Sequence, residues 1–190
     1  MRIIGGKLRG TKLYLPKNKD TRPLKDMVRE SIFNLLLHSN QIIFKFEKSS
    51  ILDLYSGTGS FGLECLSRGS KEVCFFEKDK NVIEVLEKNI IKLNLIKKAK
   101  IFSTDVFNIK KSIDIIELKF DIIFCDPPFK NNDVGKLLEA IFQKKLLKKN
   151  GIVILHRHKN TQEKSYYKFN IIEERVYGLS KIVFGNFLSS

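Results

Sequence analysis

The stretch ILDLYSGTGSFG, residues 51–62, joins a short apolar run to three closely spaced glycines. The run ILDLY (51–55) has the length of a buried strand, and Gly57, Gly59 and Gly62 follow it in the spacing G-x-G-x-x-G. After a strand, this spacing lets the backbone approach a ligand and directs a helix N-terminus toward it. The stretch therefore predicts a strand, a cofactor loop and a helix. A glycine turn that only packs the helix onto the strand is the alternative.

The same alternation of short apolar runs and helical patterns continues along the chain. The further predicted strands are VCFFE (73–77), KIFS (100–103), FDIIFC (120–125) and GIVILH (151–156). Helices are expected from Ser60 to near Gly69, from Asp79, and from Asn132 or Asp133, with a short one in 104–114. Two β-like runs around Gly178 predict a terminal hairpin with one antiparallel edge strand. The pattern predicts the α/β class, with a doubly wound, mostly parallel seven-stranded sheet.

The first 38 residues have a different character from the sheet region. MRIIGGKLRGTKLYLP (1–16) predicts a two-stranded ribbon that turns at its glycines. A helix is expected from Asp26, with its apolar positions at Val28, Ile32, Leu35 and Leu36. We expect one domain over residues 1–190, in which 1–38 form a basic extension and 50–190 form the sheet.

Charge is concentrated at two places in a chain whose formal net charge is +14. Residues 1–30 carry +6, residues 143–181 carry +7, and the 112 residues between them carry +1. Two basic regions flanking a nearly neutral body favour a polyanion such as nucleic acid. Lysine used only as a solubilising residue is the alternative.

The cysteines and the hydropathy of the chain indicate the cellular compartment of the protein. Cys65, Cys74 and Cys125 are odd in number, lack C-x-x-C spacing and have apolar neighbours, as reduced core thiols would. No apolar run approaches the ~20 residues of a membrane helix. We expect a cytoplasmic protein with no membrane segment.

Acidic residues at the strand ends suggest which cofactor the loop holds. Glu77 ends the second strand, twenty residues after Gly57, where a carboxylate can hold two ribose hydroxyls. Asp53 suits the ammonium of S-adenosylmethionine better than the pyrophosphate of NAD. Asp105 could accept from an adenine amino group, with Val106 against the ring, although a helix cap is the simpler interpretation. No Lys-Ser or Lys-Thr follows the glycines, so a nucleoside triphosphate loop is not expected.

The stretch FCDPPFK (124–130) leaves the fourth strand at the same sheet edge. The Asp126 carboxylate and the Pro127 carbonyl could accept the N–H groups of an exocyclic amino group and hold its lone pair toward a methyl donor. Phe129 could stack on a flipped-out base. The alternative is that two prolines simply end the strand.

These motifs together resemble a known family. DLYSGTGSFGLECLSRG, FFEKD and FDIIFCDPPF resemble the Rossmann-like class I S-adenosylmethionine-dependent methyltransferases, and D-P-P-F is the form typical of amino-group methylation. MRIIGGKLRG and TRPLKDMVRESIFNLL narrow the resemblance to the RsmD family of 16S rRNA guanine-N2 methyltransferases, of the guanine-966 type. The resemblance implies S-adenosylmethionine as cofactor and 16S rRNA, or an assembling 30S subunit, as partner.

The resemblance also implies a set of site residues. Those expected to hold the cofactor are Asp53, Tyr55, Ser56, Gly57, Thr58, Gly59, Glu77, Lys78, Asp105, Val106 and Asp126. Those expected to hold the guanine amino group are Asp126, Pro127, Pro128 and Phe129. The chain departs from the family pattern at Leu24, at Met27, at His156-Arg157-His158 and over its C-terminal end.

Basic residues near the N-terminus are the candidates for gripping RNA. They are Arg2, Lys7, Arg9 and Lys12 on the ribbon, with Arg22 and Arg29 nearer the site. Solvated surface charge is the alternative for each one alone. His156 and His158 alternate on a strand, but no third ligand follows at a readable spacing, so no metal is expected.

Two other functions fit part of the pattern. A DNA adenine-N6 or cytosine-N4 methyltransferase would use the same loop and D-P-P-F, but such enzymes usually carry an added recognition domain. A non-catalytic, basic RNA-binding assembly factor is the other, and it would have no need of the acidic residues at the strand ends. We expect a monomeric rRNA methyltransferase.

Overall fold

The computed structural model describes residues 1–16, 24, 26–109, 118–128, 133–161 and 168–188. Within them, seven strands form one sheet in the order β3-β2-β1-β4-β5-β7-β6. The strands are β1 (Ser50–Leu54), β2 (Glu72–Glu77), β3 (Ala99–Ser103), β4 (Phe120–Cys125), β5 (Leu147–His158), β6 (Phe169–Tyr177) and β7 (Ser180–Phe187). The predicted α/β fold with a seven-stranded, mostly parallel sheet is confirmed.

The first five strands are parallel, and the chain reverses only in the C-terminal hairpin. β7 pairs antiparallel with β5, and β6 pairs antiparallel with β7. The edge strand β6 therefore pairs antiparallel with its neighbour, as predicted, and β7, one place in from the edge, is the strand that runs opposite to the first five. β7 takes the inner place because it carries the apolar run Ile182, Val183 and Phe184, which is completely buried, whereas much of β6 is exposed.

Four α-helices cover the two faces of the sheet in the described part of the chain. They are α1 (Asp26–His38), α2 (Ser60–Ser67), α3 (Lys80–Lys92) and α4 (Val134–Gln143). The helices α1, α2 and α3 share a core with alternate strand residues such as Ile51 and Phe124. The helix α4 packs on the opposite face, against Leu52 and Ile123. The sheet is thus doubly wound, because each face of a parallel sheet must be covered.

The helix ends follow the predicted caps, with one exception. Asp79 caps α3 by accepting from the Asn81 N–H at 2.9 Å. Ser60, expected to cap α2, is instead its first helical residue, and Gly59 precedes it with φ +84°. Because glycine adopts this left-handed conformation at little cost, the turn needs no side-chain cap. The short helix expected after β3 is a 3₁₀ turn over Val106–Asn108.

The N-terminal extension forms the predicted ribbon and docks onto α2. Its two arms are joined by backbone hydrogen bonds and by one isolated antiparallel bridge between Arg2 and Lys12, with a 3₁₀ turn at Gly6–Leu8 between them. The buried Glu64 carboxylate accepts from the Ile4 N–H at 2.8 Å, and the Ser67 hydroxyl donates to the Gly5 carbonyl at 2.6 Å. These bonds fix the ribbon to the sheet domain.

The structure shows the state of the cysteines and the character of the helices. Cys65, Cys74 and Cys125 are free and buried, as predicted. No helix in the part of the chain that the structure describes is long and apolar enough to cross a bilayer.

Candidate active site

The loop between β1 and α2 is held in an unusual backbone conformation. Tyr55, Gly57 and Gly59 all have positive φ angles, of 58°, 54° and 84°. The Ser56 N–H donates to the Phe76 carbonyl at 3.0 Å, which fixes the loop to the end of β2. A Cβ built on Gly57 would meet no atom within 4 Å. The loop therefore presents bare backbone to open space.

Gly62 has a different role from Gly57. A Cβ at this position would lie 2.4 Å from the Phe75 ring and 2.8 Å from Val73. Since any side chain here would push α2 off the sheet, this glycine serves the packing of helix on strand. A Cβ at Gly59 would likewise lie 2.4 Å from the Leu86 side chain, so the packing interpretation of the glycine pattern holds for Gly59 and Gly62, and of the three glycines only Gly57 faces open space.

Glu77 organises the loop from the end of β2. One carboxylate oxygen accepts from the Gly57 N–H at 2.9 Å, and the other accepts from the Lys78 and Asp79 N–H groups at 2.8 and 3.0 Å. The side chain stays partly exposed and lines a cavity. An oxygen of this carboxylate can accept further hydrogen bonds from a ligand.

Asp53 lies behind the loop, beneath α2. Its Oδ2 atom accepts from the Gly62 N–H at 3.0 Å, and its buried Oδ1 atom has no hydrogen-bond partner among the described residues. Burial raises the pKa of this carboxyl to about 8, and the nearby Asp126 and Glu77 add to the effect. Asp53 is 1% exposed and is not among the cavity-lining residues, so its role in holding a cofactor stays a prediction.

Asp105 is both a cap and part of the cavity wall. Its carboxylate accepts from the Phe107 N–H at 3.0 Å and pairs with the Lys78 ammonium at 3.1 Å. The Phe107 hydrogen bond, helped by Lys78, lowers the pKa of Asp105. The helix-cap interpretation is therefore confirmed, and Val106, 3% exposed, lines the same wall.

A single cavity of about 530 Å³ runs along the carboxyl ends of the strands and brings most predicted site residues together. Predicted residues that line it are Tyr55, Ser56, Gly57, Thr58, Glu77, Lys78, Asp105, Val106, Asp126, Pro127 and Pro128. Gly59 lies in the loop but not on the cavity wall, and Phe129 lies outside the described residues. Such an edge is where doubly wound sheets bind ligands, and the volume suits a small molecule.

The cavity also has lining residues that the sequence analysis missed. They are Leu24, Ser60, Phe76, Asp79, Thr104, His156, Leu179 and Ser180. His156 lies two residues before the end of β5 and Ser180 begins β7, so both reach the cavity from the strands beyond β4. The available signals were the departure from the family pattern at His156 and the rule that residues near the carboxyl ends of neighbouring parallel strands share one edge of the sheet.

Asp126 stands where β4 leaves the sheet, and a histidine contacts it. The Asp126 Oδ1 atom lies 2.7 Å from His156 Nδ1, and His156 Nε2 lies 2.8 Å from Ser180 Oγ. Pro127 is buried and Pro128 is exposed. The two prolines end the strand, as the alternative interpretation holds, and they also form part of the cavity wall.

The predicted RNA contacts divide into three groups. Arg2, Lys7, Arg9 and Lys12 are all exposed on the ribbon, and Arg22 lies outside the described residues. The prediction for Arg29 is wrong, because its side chain is completely buried, pairs with Asp26 at 2.9 Å and donates to the Arg2 carbonyl. Arg29 therefore anchors α1 to the ribbon and cannot reach RNA.

Histidines do not assemble a metal site in the described ranges, where no cluster of three potential ligands is found. His156 engages Asp126 and Ser180, and His158 Nδ1 accepts from the Asn160 N–H at 3.3 Å. The alternation of the two histidines along β5 therefore serves hydrogen bonds within the protein.

Comparison with known proteins gives the family. The profile described as conserved hypothetical protein 95 matches residues 1–186. Ribosomal RNA small subunit methyltransferase D of Haemophilus influenzae is 31% identical over 184 residues, covering 94% of this chain and 90% of that protein. The crystal structure of HI0767 from Haemophilus influenzae superposes with a TM-score of 0.75 at 27% identity, over 100% of this chain and 99% of that one.

A more distant structure shares the fold. SMU.776, solved as a complex with SAH, superposes with a TM-score of 0.65 at 17% identity, over 83% of this chain and 48% of that one. The match of the family profile to nearly the whole chain, together with a cavity that joins the glycine loop to D-P-P, supports one conclusion. The chain belongs to the conserved hypothetical protein 95 family, which is the RsmD family that its sequence resembles.

Proposed function

We propose that this protein transfers a methyl group from S-adenosylmethionine to the N2 amino group of a guanine in 16S rRNA. The observation that carries the proposal is the shared cavity, in which the glycine loop and Glu77 face the same space as Asp126 and Pro127. A cofactor at one end and a base at the other would then meet. Relatives named ribosomal RNA small subunit methyltransferase D support rRNA as the substrate.

The cofactor end has the chemistry that S-adenosylmethionine requires. This cofactor carries a ribose diol and two positive groups, a sulfonium and an ammonium. Glu77 would hold the diol, while the cavity-lining carboxylate of Asp126 makes the surroundings of the positive groups negative. Asp105 and Val106 would hold the adenine. The SAH complex of the structural neighbour SMU.776 supports a cofactor of this kind.

When bound, S-adenosylmethionine supplies a methyl group from its sulfonium to the amino nitrogen, and S-adenosylhomocysteine and one proton are released. The protein's contribution is to position the acceptor. The Asp126 carboxylate would accept one amino N–H and the Pro127 carbonyl the other, so that the nitrogen lone pair faces the methyl. Because proline has no N–H, Pro127 and Pro128 offer only acceptors at this edge. Phe129 would stack on the base.

The exposed ribbon supports RNA as the partner. Arg2, Lys7, Arg9 and Lys12 are exposed on one small unit that is tied to α2 by Glu64. In this account, residues 1–38 form the RNA-gripping extension of one domain whose sheet region spans 50–190. The enzyme would act as a cytoplasmic monomer on 16S rRNA or an assembling 30S subunit.

Two variants test the two ends of the cavity separately. Calorimetric titration should detect S-adenosylmethionine binding to the wild type and to the control Glu87→Ala, an exposed position on α3. Glu77→Ala should weaken that binding on the order of 100-fold, because two hydroxyl bonds to a charged acceptor are lost. Asp126→Ala should still bind the cofactor yet lose methyl transfer to 16S rRNA. Absence of binding to the wild type would refute the proposal, and full transfer by Asp126→Ala would remove Asp126 from it.

A further inference from the structure

A chain of hydrogen bonds crosses three strands at one end of the cavity. Asp126 follows β4, His156 lies in β5 and Ser180 begins β7. His156 Nδ1 is 2.7 Å from Asp126 Oδ1, and His156 Nε2 is 2.8 Å from Ser180 Oγ. His156 is 7% exposed and Ser180 is 8% exposed, whereas Asp126 is more open. All three residues line the cavity, and the carboxylate is the member of the chain that is most open to a ligand.

The sheet fixes the histidine between its two partners. His156 pairs with Ile182 of β7, and Ser180 lies two residues from Ile182 on the same face. In an antiparallel pair such diagonal neighbours are within reach of a long side chain. The contact between His156 and Ser180 is therefore fixed by the register of the two strands. A surface loop could not hold this contact as firmly.

Chemistry decides the direction of the hydrogen bonds. An ionised carboxylate can only accept, so the proton between His156 and Asp126 must be on Nδ1. In the neutral ring, Nε2 then accepts from the Ser180 hydroxyl. Each polar atom of the buried ring is satisfied in this tautomer, and the other neutral tautomer would leave Nδ1 and Asp126 as two facing acceptors.

The histidine leaves one oxygen of Asp126 available. Oδ1 is engaged by His156, and Oδ2 has no hydrogen-bond partner among the residues that the structure describes. A carboxylate held at one oxygen has a fixed plane, so its second oxygen has a fixed direction. We propose that His156 is a positioning residue, kept in its Nδ1–H tautomer by Ser180, that aims Asp126 Oδ2 at the acceptor amino group. This inference rests on the proposed function.

The location predicts which kinetic step depends on His156. In the sheet order, the glycine loop and Glu77 belong to β1 and β2, whereas His156 and Ser180 lie beyond β4. His156 therefore acts on the acceptor end of the cavity. Its loss should lower kcat for methyl transfer and leave the Kd for S-adenosylmethionine unchanged.

Two substitutions separate positioning from packing. In His156→Asn the amide nitrogen occupies the place of Nδ1 and can still donate to Asp126. In His156→Gln it occupies the place of Nε2, toward Ser180, and the Asp126 bond is lost. We expect His156→Asn to keep kcat within about threefold of wild type and His156→Gln to lose about 10- to 100-fold, since small misplacements cost this much.

Thermal melting and cofactor titration show whether both variants are folded. Ser180→Ala is a second, milder variant that leaves the ring in place and should lower kcat by less than His156→Gln. Equal activity of folded His156→Asn and His156→Gln, or a loss confined to the Kd for S-adenosylmethionine, would overturn the inference.

A spectroscopic experiment tests the tautomer of His156 without any measurement of methyl transfer. Nitrogen-15 NMR of the histidine rings should show a proton on Nδ1 of His156 and a shift of that signal in Asp126→Ala. A His156 ring without a proton on Nδ1 would overturn the inference even if the enzyme is active. If the wild type binds cofactor but methylates no nucleic acid, the proposed function fails, and this arm still reports on the hydrogen bond.

Discussion

Gly57 provides a direct test of where the cofactor binds. Gly57→Ala adds one methyl group to the loop at φ +54°, facing space in which no protein atom lies within 4 Å. Within the protein itself, the cost is backbone strain of about 1–2 kcal/mol for a left-handed alanine. Gly10→Ala is the matched control, because Gly10 has φ +85° and also meets no atom within 4 Å. Gly10 lies in the N-terminal ribbon, and neither it nor its chain neighbours line the cavity.

The two variants should differ in affinity and agree in stability. Each should lower Tm by roughly 2–8 °C, from about 1–2 kcal/mol of strain in a chain of this size. Only Gly57 lines the 530 Å³ cavity. A methyl group there would push the ligand off the loop and forfeit about one hydrogen bond with its surrounding contacts, about 1.4–3 kcal/mol. The Kd for S-adenosylmethionine should therefore rise about 10- to 100-fold in Gly57→Ala.

Isothermal titration with S-adenosylmethionine and thermal melting on the same samples provide the measurements. Equal Kd values for the two folded variants would refute the placement of the cofactor against this loop. A much larger fall in Tm for Gly57→Ala than for the control would show that the methyl group meets protein atoms, contrary to the geometry.

Two further predictions follow from buried and exposed charge. The pKa of Asp53 is raised from 3.8 to about 8 in the fold, so its contribution to stability is present below pH 4 and lost as pH rises toward 8. In denaturant titrations, the free energy of unfolding of the wild type should fall over this range because of Asp53, by on the order of 5 kcal/mol, and Asp53→Asn should remove this part of the fall. A pH profile that is the same in the variant and the wild type would contradict the raised pKa. Replacing Arg9 and Lys12 by Gln should reduce the slope of log affinity for 16S rRNA against log salt by about 1.4, as two phosphate contacts with unpaired RNA would. The same change at the exposed Lys97 and Lys98 should leave the slope as it is, and equal slopes for both pairs would exclude the ribbon as the RNA grip.

The strands that carry the site could be predicted because local pattern alone determines them. The runs at 51–55 and 120–125 became β1, Ser50–Leu54, and β4, Phe120–Cys125. Apolar runs of this length buried on both faces have few alternatives to a parallel sheet. Once the strand order is known, the glycine loop and D-P-P must lie at one edge.

The hairpin order could not be predicted from local pattern. Either of its strands could pair with β5, and the choice depends on burying Val183 and Phe184 against the rest of the sheet. This burial depends on contacts with residues far away in the sequence, so the pattern of neither strand predicts it.

The prediction that Arg29 contacts RNA was based on its charge, whereas its spacing along the helix would have predicted burial. Phe33 and Leu36 follow it at four and seven residues, and both are buried. This spacing places Arg29 on the core face of α1. Its charge suggested the surface instead, and the tie to the Arg2 carbonyl that explains its burial arises only when the ribbon docks.

His156 and Ser180 were missed for a related reason. No local motif links them, because they contact each other only through the antiparallel register of β5 and β7. The departure from the family pattern at His156 marked the position but not its partner.

The central claim is that the cavity brings S-adenosylmethionine to a guanine of 16S rRNA. Its most direct test is methyl transfer from labelled S-adenosylmethionine to naked 16S rRNA, 30S particles and duplex DNA in parallel, followed by mapping of the labelled base. We predict label on the N2 atom of a guanine in 16S rRNA, free or within the particle, and none on DNA. Label on an adenine or cytosine of DNA, or no label on RNA from protein that binds the cofactor, would contradict the account.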